Sequence, residues 1–171
     1  MAIERPTYQV IVNEDPFELR SYANLIVAIA NESDLSGNSG FGEVFDYIQG
    51  NNAQRTKIAM TVPVINELDP AKMTTAFVMP KTYGLDDLPK PARSNLKLKE
   101  VPQRTVAVVN FSGNVSRDKI RLKKDELLKW IETKGWIGIG SIELARYNPP
   151  FIPGFLKHNE LWIEVQTNES F

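Results

Sequence analysis

An amphipathic helix is predicted by residues 41–50, which read Phe41-Gly42-Glu43-Val44-Phe45-Asp46-Tyr47-Ile48-Gln49-Gly50. Four apolar side chains recur at i, i+3, i+4 and i+7 and so share one helix face. These are Phe41, Val44, Phe45 and Ile48. A small polar run, 36–40, precedes the helix; in it Asn38 or Ser39 can cap the first turn, and Gly50 is suited to end the helix.

A second helix is predicted from Ser116 to Lys134-Gly135, with an apolar stripe formed by Ile120, Leu127, Leu128 and Ile131. Seven cations flank this stripe: Arg117, Lys119, Arg121, Lys123, Lys124, Lys129 and Lys134. The net charge of the chain is -1, which gives no overall field to attract nucleic acid. We therefore interpret the cations as a solvated helix face and expect no nucleic-acid partner.

Strand patterns surround both helices. Alternating or short apolar runs of β-branched residues predict strands on either side of each helix. They are 17–22, 25–30, 57–65 and 74–79 around the first helix, and 96–99, 105–111, 142–147 and 161–165 around the second. Both halves thus show the order strand, helix, strand, strand.

This order predicts one α+β domain, 1–171, with internal repeats at about 8–80 and 95–166 and an extended crossover over 81–94. Two β-α-β-β units can pair into one strongly curved antiparallel sheet or β-barrel with the two helices outside. The fold prediction is therefore a duplicated β-α-β-β unit.

Composition excludes several classes of site. The 171 residues include no cysteine, so disulfides, thiolate zinc sites and cysteine nucleophiles are excluded. No apolar run approaches the roughly 20 residues of a membrane span, and the N-terminal residues show no signal-peptide pattern. We expect a cytoplasmic protein.

Catalytic motifs are scarce. His158 is the one histidine, and no Gly-x-Ser-x-Gly elbow or phosphate-binding loop is present. Residues 37–40 before the first helix suit a loop and cap better than an anion cradle. The sequence thus favours a function other than catalysis.

A proline-rich segment, 148–156, carries more apolar surface than a solvated loop usually exposes. It reads Asn148-Pro149-Pro150-Phe151-Ile152-Pro153-Gly154-Phe155-Leu156. Either it folds back over the core or it forms one wall of an apolar ligand site. Arg146, Lys157 and His158 would give that wall a cationic rim, which suits a flat ligand with carboxylates.

The chain resembles the SOUL haem-binding protein family. The resemblance rests on 41–52, 57–64, Phe77-Val78-Met79-Pro80, 88–91, 107–113, 145–151 and Asn159-Glu160-Leu161-Trp162, in the family's order. It implies a distorted antiparallel β-barrel with two flanking helices, as in gyrase-inhibitor-like domains. It also implies reversible binding of haem b or another tetrapyrrole in an apolar cleft beside the first helix and the proline-rich segment.

The resemblance assigns the cleft wall to apolar residues and its rim to cations. The wall would contain Phe41, Val44, Phe45, Ile48, Met60, Phe151, Ile152 and Phe155. Propionates would meet Arg55, Lys57 or Lys157. Some animal members carry a histidine, proposed as the iron ligand, where this chain has Ser21. His158 is then the remaining imidazole that could bind haem iron, and Met60 and Tyr22 are weaker candidates.

We predict a haem carrier or buffer. One alternative is a small-molecule-sensing or protein-interaction module of the same fold, since fold alone does not decide function. A further alternative is a haem-degrading enzyme. The apolar segment also suggests self-association into a homo-oligomer.

Overall fold

The computed structural model describes residues 2–93, 95–149 and 151–170. Within these ranges the chain is an α+β protein with nine antiparallel strands and two α-helices. It divides into two compact units: the first contains Met1–Pro6 and Asn24–Pro102, and the second contains Thr7–Ala23 and Gln103–Phe171. Ser94 of the predicted crossover and Pro150 of the proline-rich segment lie outside the described residues.

The first unit contains one helix and four strands. In chain order they are β3 (Leu25–Asn31), α1 (Asn38–Ile48), β4 (Val64–Asp69), β5 (Lys72–Val78) and β6 (Leu96–Val101). Their order in the sheet is β4-β5-β3-β6. Helix α1 packs on β3 and β5, so its apolar face is buried against the centre of this sheet.

The second unit contains the other helix and five strands. In chain order they are β1 (Tyr8–Glu14), β2 (Phe17–Tyr22), β7 (Arg104–Ser112), α2 (Arg117–Thr133), β8 (Ile137–Arg146) and β9 (His158–Gln166). Their order in the sheet is β1-β2-β7-β9-β8, and α2 packs on β7, β8 and β9.

Each unit contains a strand, a helix and two further strands in the same local arrangement. In β3-α1-β4-β5 and in β7-α2-β8-β9, the last strand lies between the other two. The compact units differ from the predicted repeats, because β2 pairs with β7 and β6 pairs with β3. Neither unit's strand order closes on itself among the described residues. The barrel and the duplication therefore stay predictions.

The second helix confirms its prediction from the periodicity. Helix α2 spans Arg117–Thr133, and Ser116 caps it, since its hydroxyl accepts a hydrogen bond from the Lys119 N–H at 3.1 Å. Leu127 and Ile131 of the predicted stripe are buried, together with Trp130, whereas Leu128 is exposed.

The capping prediction for α1 is wrong. The helix begins at Asn38, and its N-cap is Gly37, which has a positive φ of 74° and no side chain to accept a bond. Glu32 supplies the missing acceptor. The carboxylate of Glu32, one residue after β3, therefore takes the place of a local side-chain cap.

The strand predicted over 57–65 is wrong for 57–63, where the chain runs outside the sheet. Pro63 has no N–H to donate to a strand ladder. The Ile58 N–H donates to the Ile48 carbonyl (2.8 Å), and the Val62 N–H donates to the Glu4 carbonyl (3.1 Å). These bonds tie the segment to the end of α1 and to the N-terminal residues.

Two strands contain long stretches that the sequence patterns did not predict. Strand β8 begins at Ile137, five residues earlier than predicted, and β1 had no prediction. Strand β1 is largely exposed and so are the first four residues of β8, so apolar periodicity indicates these stretches poorly. No helix in the described ranges is long and apolar enough to cross a membrane.

Candidate functional site

The residues predicted for the apolar wall on and after α1 lie partly in the core and partly at the surface. Val44 and Ile48 are buried in the core of the first unit, and Phe41 and Met60 pack against that core while half-buried. Phe45 is 38% exposed, and its ring stacks on Phe41 with centroids 5.5 Å apart. Phe45 is the most exposed of these five residues.

The N-terminus of α1 is occupied by the protein's own carboxylate. Glu32 accepts hydrogen bonds from the Gly40 N–H at 2.8 Å, from the Thr75 hydroxyl at 2.7 Å, from the Ser39 hydroxyl and from the Ser33 N–H. Burial raises the pKa of Glu32, but these bonds outweigh it and lower the pKa below its ordinary value. Because a helix N-terminus favours one nearby anion, this carboxylate takes the place of an external phosphate.

Arg55 and Lys57 lie on an exposed turn after α1. Arg55 has a positive φ of 53°, and its N–H donates to the Asn52 carbonyl at 3.1 Å. Within the described ranges, the side chains of Arg55 and Lys57 make no hydrogen bond or ion pair. Both cations are therefore available to a carboxylate ligand.

The proline-rich segment presents its large apolar side chains to solvent. Phe151 is 83% exposed, Phe155 is 78% exposed and Leu156 is 60% exposed, while Ile152 is half-buried. These values disfavour the alternative in which the segment folds back over the core. We use "apolar segment" for residues 151–156 from here on.

Hydrogen bonds fix the backbone of the apolar segment. The Leu156 N–H donates to the Pro153 carbonyl at 2.9 Å, and the Ile152 N–H donates to the Pro149 carbonyl at 3.2 Å. At the C-terminal end, the Gly113 N–H donates to the Lys157 carbonyl at 3.3 Å. The phenylalanines are thus held outward on an ordered turn.

His158 lies two residues after the apolar segment, and its ring, 45% exposed, contacts a buried polar cluster. Its Nε2 lies 3.1 Å from Oε2 of Glu160, and its ring packs on Tyr147 with centroids 5.0 Å apart. Its backbone N–H donates to the Asn148 side chain at 2.6 Å. The imidazole nitrogen that most often binds haem iron is therefore already hydrogen-bonded to a carboxylate.

Arg20 and Glu160 form the centre of this cluster, and each is 2% exposed. The guanidinium donates from Nη1 and Nη2 to the two carboxylate oxygens, both at 2.8 Å. Tyr147 and Trp162 also donate to Oε1 of Glu160, at 3.0 and 2.8 Å. With His158, five hydrogen bonds converge on one carboxylate.

The electrostatics of the cluster favour a permanent ion pair. Burial raises the pKa of Glu160, but hydrogen bonds from His158, Arg20 and Trp162 and the charge of Arg20 outweigh it and hold the pKa at about 2. Burial also raises the pKa of the Tyr147 hydroxyl, and the Glu160 charge raises it further. At neutral pH the cluster therefore contains a charged pair and neutral tyrosines. The ion pair links β2, which carries Arg20, to β9, which carries Glu160.

No sequence motif indicated this cluster. Residues of the same parity share one face of a strand, which places Glu18, Arg20 and Tyr22 together on β2, and Glu160 with Trp162 on β9. The shared parity of these residues was the sequence signal that could have indicated the cluster. Within the described ranges, no group of three His, Asp or Glu side chains is arranged to hold a metal ion.

The comparisons with known proteins concern nearly the whole chain. The family model of the SOUL heme-binding protein matches residues 3–164. The chain is 27% identical to heme-binding protein 2 of Homo sapiens and 27% identical to that of Mus musculus. Each alignment covers 98% of this chain and 88% of the relative.

Solved structures with a similar fold are more distant in sequence. The crystal structure of the EcmrR C-terminal domain has a TM-score of 0.68 at 14% identity and covers 93% of this chain and 98% of that chain. A hydrolase from Listeria innocua has a TM-score of 0.60 at 10% identity and covers 91% and 94%. At such identities the likeness concerns the fold alone.

Proposed function

Because this chain belongs to the SOUL heme-binding protein family, we propose that it binds haem b or another tetrapyrrole reversibly and acts as a carrier or buffer. The tetrapyrrole is then cargo, and the protein's task is to cover its apolar face and pair its carboxylates.

The apolar segment is the observation that carries this proposal. Phe151, Phe155 and Leu156 expose most of their surface on a backbone that hydrogen bonds hold in place. Covering such a side chain with an apolar ligand is worth about 1.5–3 kcal/mol. Each residue would then contribute roughly tenfold to a hundredfold in affinity. A flat tetrapyrrole suits this surface because phenyl rings stack on planar aromatic systems.

Lys157 is the proposed partner of a propionate in this unit. It follows Leu156 directly, and its side chain makes no hydrogen bond or ion pair within the described ranges. A cation beside an apolar surface orients an amphipathic ligand through a charge-assisted hydrogen bond. Ile152, half-buried in the same segment, would complete the apolar contact.

Residues of the first unit are proposed as contacts on separate grounds. Phe45 is exposed and stacked on Phe41, so it offers a ring face without any rearrangement. Arg55 and Lys57 are exposed cations, whereas Val44 and Ile48 lie inside the core. We expect Phe45 to matter more for binding than Val44 or Ile48, which matter for stability.

His158 is a weaker candidate for the iron ligand than the sequence suggested. Ligation through Nε2 would remove its hydrogen bond to the Glu160 carboxylate, which is charge-assisted because that carboxylate is ionised. Hydrogen bonds of this kind contribute about 1.5–3 kcal/mol. We propose capture of the ring chiefly by apolar contact.

A hemin titration followed at the Soret band tests the proposal. The wild-type protein should give a saturable shift, and transfer of the hemin to apomyoglobin should be complete, since a carrier must release its cargo. Leu156→Ser should weaken binding about tenfold, from the lost apolar contact.

Leu122→Ser is the matched control, because Leu122 is a leucine of similar exposure (55%) on α2. It should bind hemin as the wild type does. A nonsaturating spectrum of the wild type would contradict the proposal and favour the sensing or interaction module. Equal weakening in both variants would contradict the role of the apolar segment.

A further inference from the structure

We propose that the apolar segment also docks the protein on an anionic membrane surface, with Phe151, Phe155 and Leu156 entering the headgroup region. This goes beyond the proposed function, because it needs no haem.

The shape of the segment favours a lipid surface over a groove in a protein partner. Phe151 and Phe155 are about four-fifths exposed, so neither ring is packed into a pocket of the chain. Protein interfaces bury their aromatic anchors in well-packed pockets. Headgroup regions accept separate aromatic side chains without a complementary surface, and interfacial anchors carry such residues beside cations.

Hydrogen bonds hold the backbone of the segment in a closed turn. Its turn is closed by the bonds from Leu156 to Pro153 and from Lys157 to Gly154, at 2.9 and 3.0 Å. A pre-ordered loop loses little conformational entropy when it binds.

Cations lie near the base of the segment. The Lys157 carbonyl accepts a bond from the Gly113 N–H, and Nζ of Lys119 lies 3.2 Å from the place that a β-carbon on Gly113 would take. The Asn114 side chain lies against Gly154. The N-terminus of α2, with Arg117, therefore adjoins the segment. We call Arg117, Lys119 and Lys157 the basic collar.

The acidic groups near the collar are already paired. Asp118 accepts a hydrogen bond from Arg121 at 2.6 Å, and Glu160 is buried against Arg20. The collar therefore keeps an excess of positive charge beside an apolar tip. This combination complements anionic headgroups, which attract each nearby Lys or Arg.

Co-sedimentation with vesicles, without hemin, tests this inference. Wild-type protein should pellet with vesicles of phosphatidylcholine and phosphatidylserine in equal amounts, and much less with phosphatidylcholine alone. Phe151→Ser and Phe155→Ser should each weaken binding about tenfold, from lost apolar burial. Lys157→Glu should weaken it severalfold and reduce its sensitivity to salt.

Matched controls separate a local effect from a general one. Leu122→Ser removes an exposed leucine elsewhere, and Lys72→Glu makes the same charge change on β5. Both should bind vesicles as the wild type does. Circular dichroism checks that every variant is folded.

Two results would overturn the inference. One is a wild type that stays in the supernatant with both vesicles; if light scattering then shows a dimer that Phe155→Ser dissociates, the segment joins two copies of this chain. The other is equal vesicle binding by the segment variants and the controls. Because vesicles are used without hemin and the Soret titration without lipid, failure here leaves the proposed function to its own test.

Discussion

Glu160→Gln should destabilise the second unit more than any exposed charge change. The substitution keeps the shape of the side chain but leaves the Arg20 guanidinium, 2% exposed, without its charged partner. The new amide also places its NH₂ group opposite hydrogen-bond donors that point at a carboxylate oxygen in the wild type, so these donors lose their acceptor. Removing one partner of a buried ion pair costs about 3–5 kcal/mol. Glu18 still accepts from Nε of Arg20 at 2.6 Å, so we expect the lower end, about 3 kcal/mol.

The pKa of Glu160 gives a second value for the free energy that its charge contributes to stability. Its value of about 2 in the folded protein lies below the ordinary 4.5. Each unit of difference corresponds to 1.36 kcal/mol, so the ionised carboxylate contributes about 3 kcal/mol. Because the folded pKa is depressed, this contribution is present above pH 4.5 and is lost as the pH falls from 4.5 toward 2.

Urea unfolding at neutral pH, followed by tryptophan fluorescence, measures this change. Trp130, Trp136 and Trp162 all lie in the second unit, so the signal reports on the unit that contains Glu160. With an m-value of about 1–3 kcal/mol per molar urea, the midpoint should fall by about 1–3 M.

Glu126→Gln is the control, because Glu126 pairs with Lys123 at the surface of α2 at 3.2 Å. It should change the free energy of unfolding by less than about 1 kcal/mol. If Glu160→Gln changes it by no more than this control does, the assignment of a stabilising buried pair is refuted. At pH values near 2 the two proteins should converge in stability.

Three further predictions concern α1 and the haem proposal. Gly40→Ala should lower the free energy of unfolding by about 1–3 kcal/mol, because the added β-carbon would lie 2.7 Å from Oε2 of Glu32 and 2.8 Å from Thr75. Thermal denaturation measures this loss, and an unchanged midpoint would contradict the close packing around Gly40. His158→Ala should leave the Soret maximum of bound hemin in place, since Nε2 is bonded to Glu160; a shifted maximum would make His158 the ligand. Phe45→Ser should weaken hemin binding about tenfold with little change in stability, because the ring is exposed. Val44→Ala should lower the stability and leave hemin binding nearly unchanged, because Val44 is buried. Equal titrations for wild type and Phe45→Ser would exclude α1 from binding.

Periodicity predicted the elements that have one buried face. Helix α2, which starts directly after Ser116, and strand β2 at 17–22 agree with their predictions because both depend on neighbours a few residues away. The apolar stripe of α1 was also correct as a helix signal. It did not show that Val44 is buried while Phe45 is exposed, because that division depends on where β3 and β5 lie.

Interactions between distant residues escaped the sequence analysis. Arg20 and Glu160 are 140 positions apart and meet because β7 pairs with both β2 and β9. Glu32 reaches the N-terminus of α1 from the residue after β3, whereas the local sequence pattern favoured a cap from Asn38 or Ser39. The composition of the proline-rich segment did indicate its apolar surface, but its exposure required the structure.

The central claim is that the apolar segment captures a tetrapyrrole. Its most direct test is a hemin titration of the double variant Phe151→Ser/Phe155→Ser beside the wild type, at equal protein concentration. The account predicts a saturable Soret shift in the wild type and an affinity lower by about a hundredfold or more in the double variant, from two lost aromatic contacts. Superimposable titrations of the two folded proteins would contradict it.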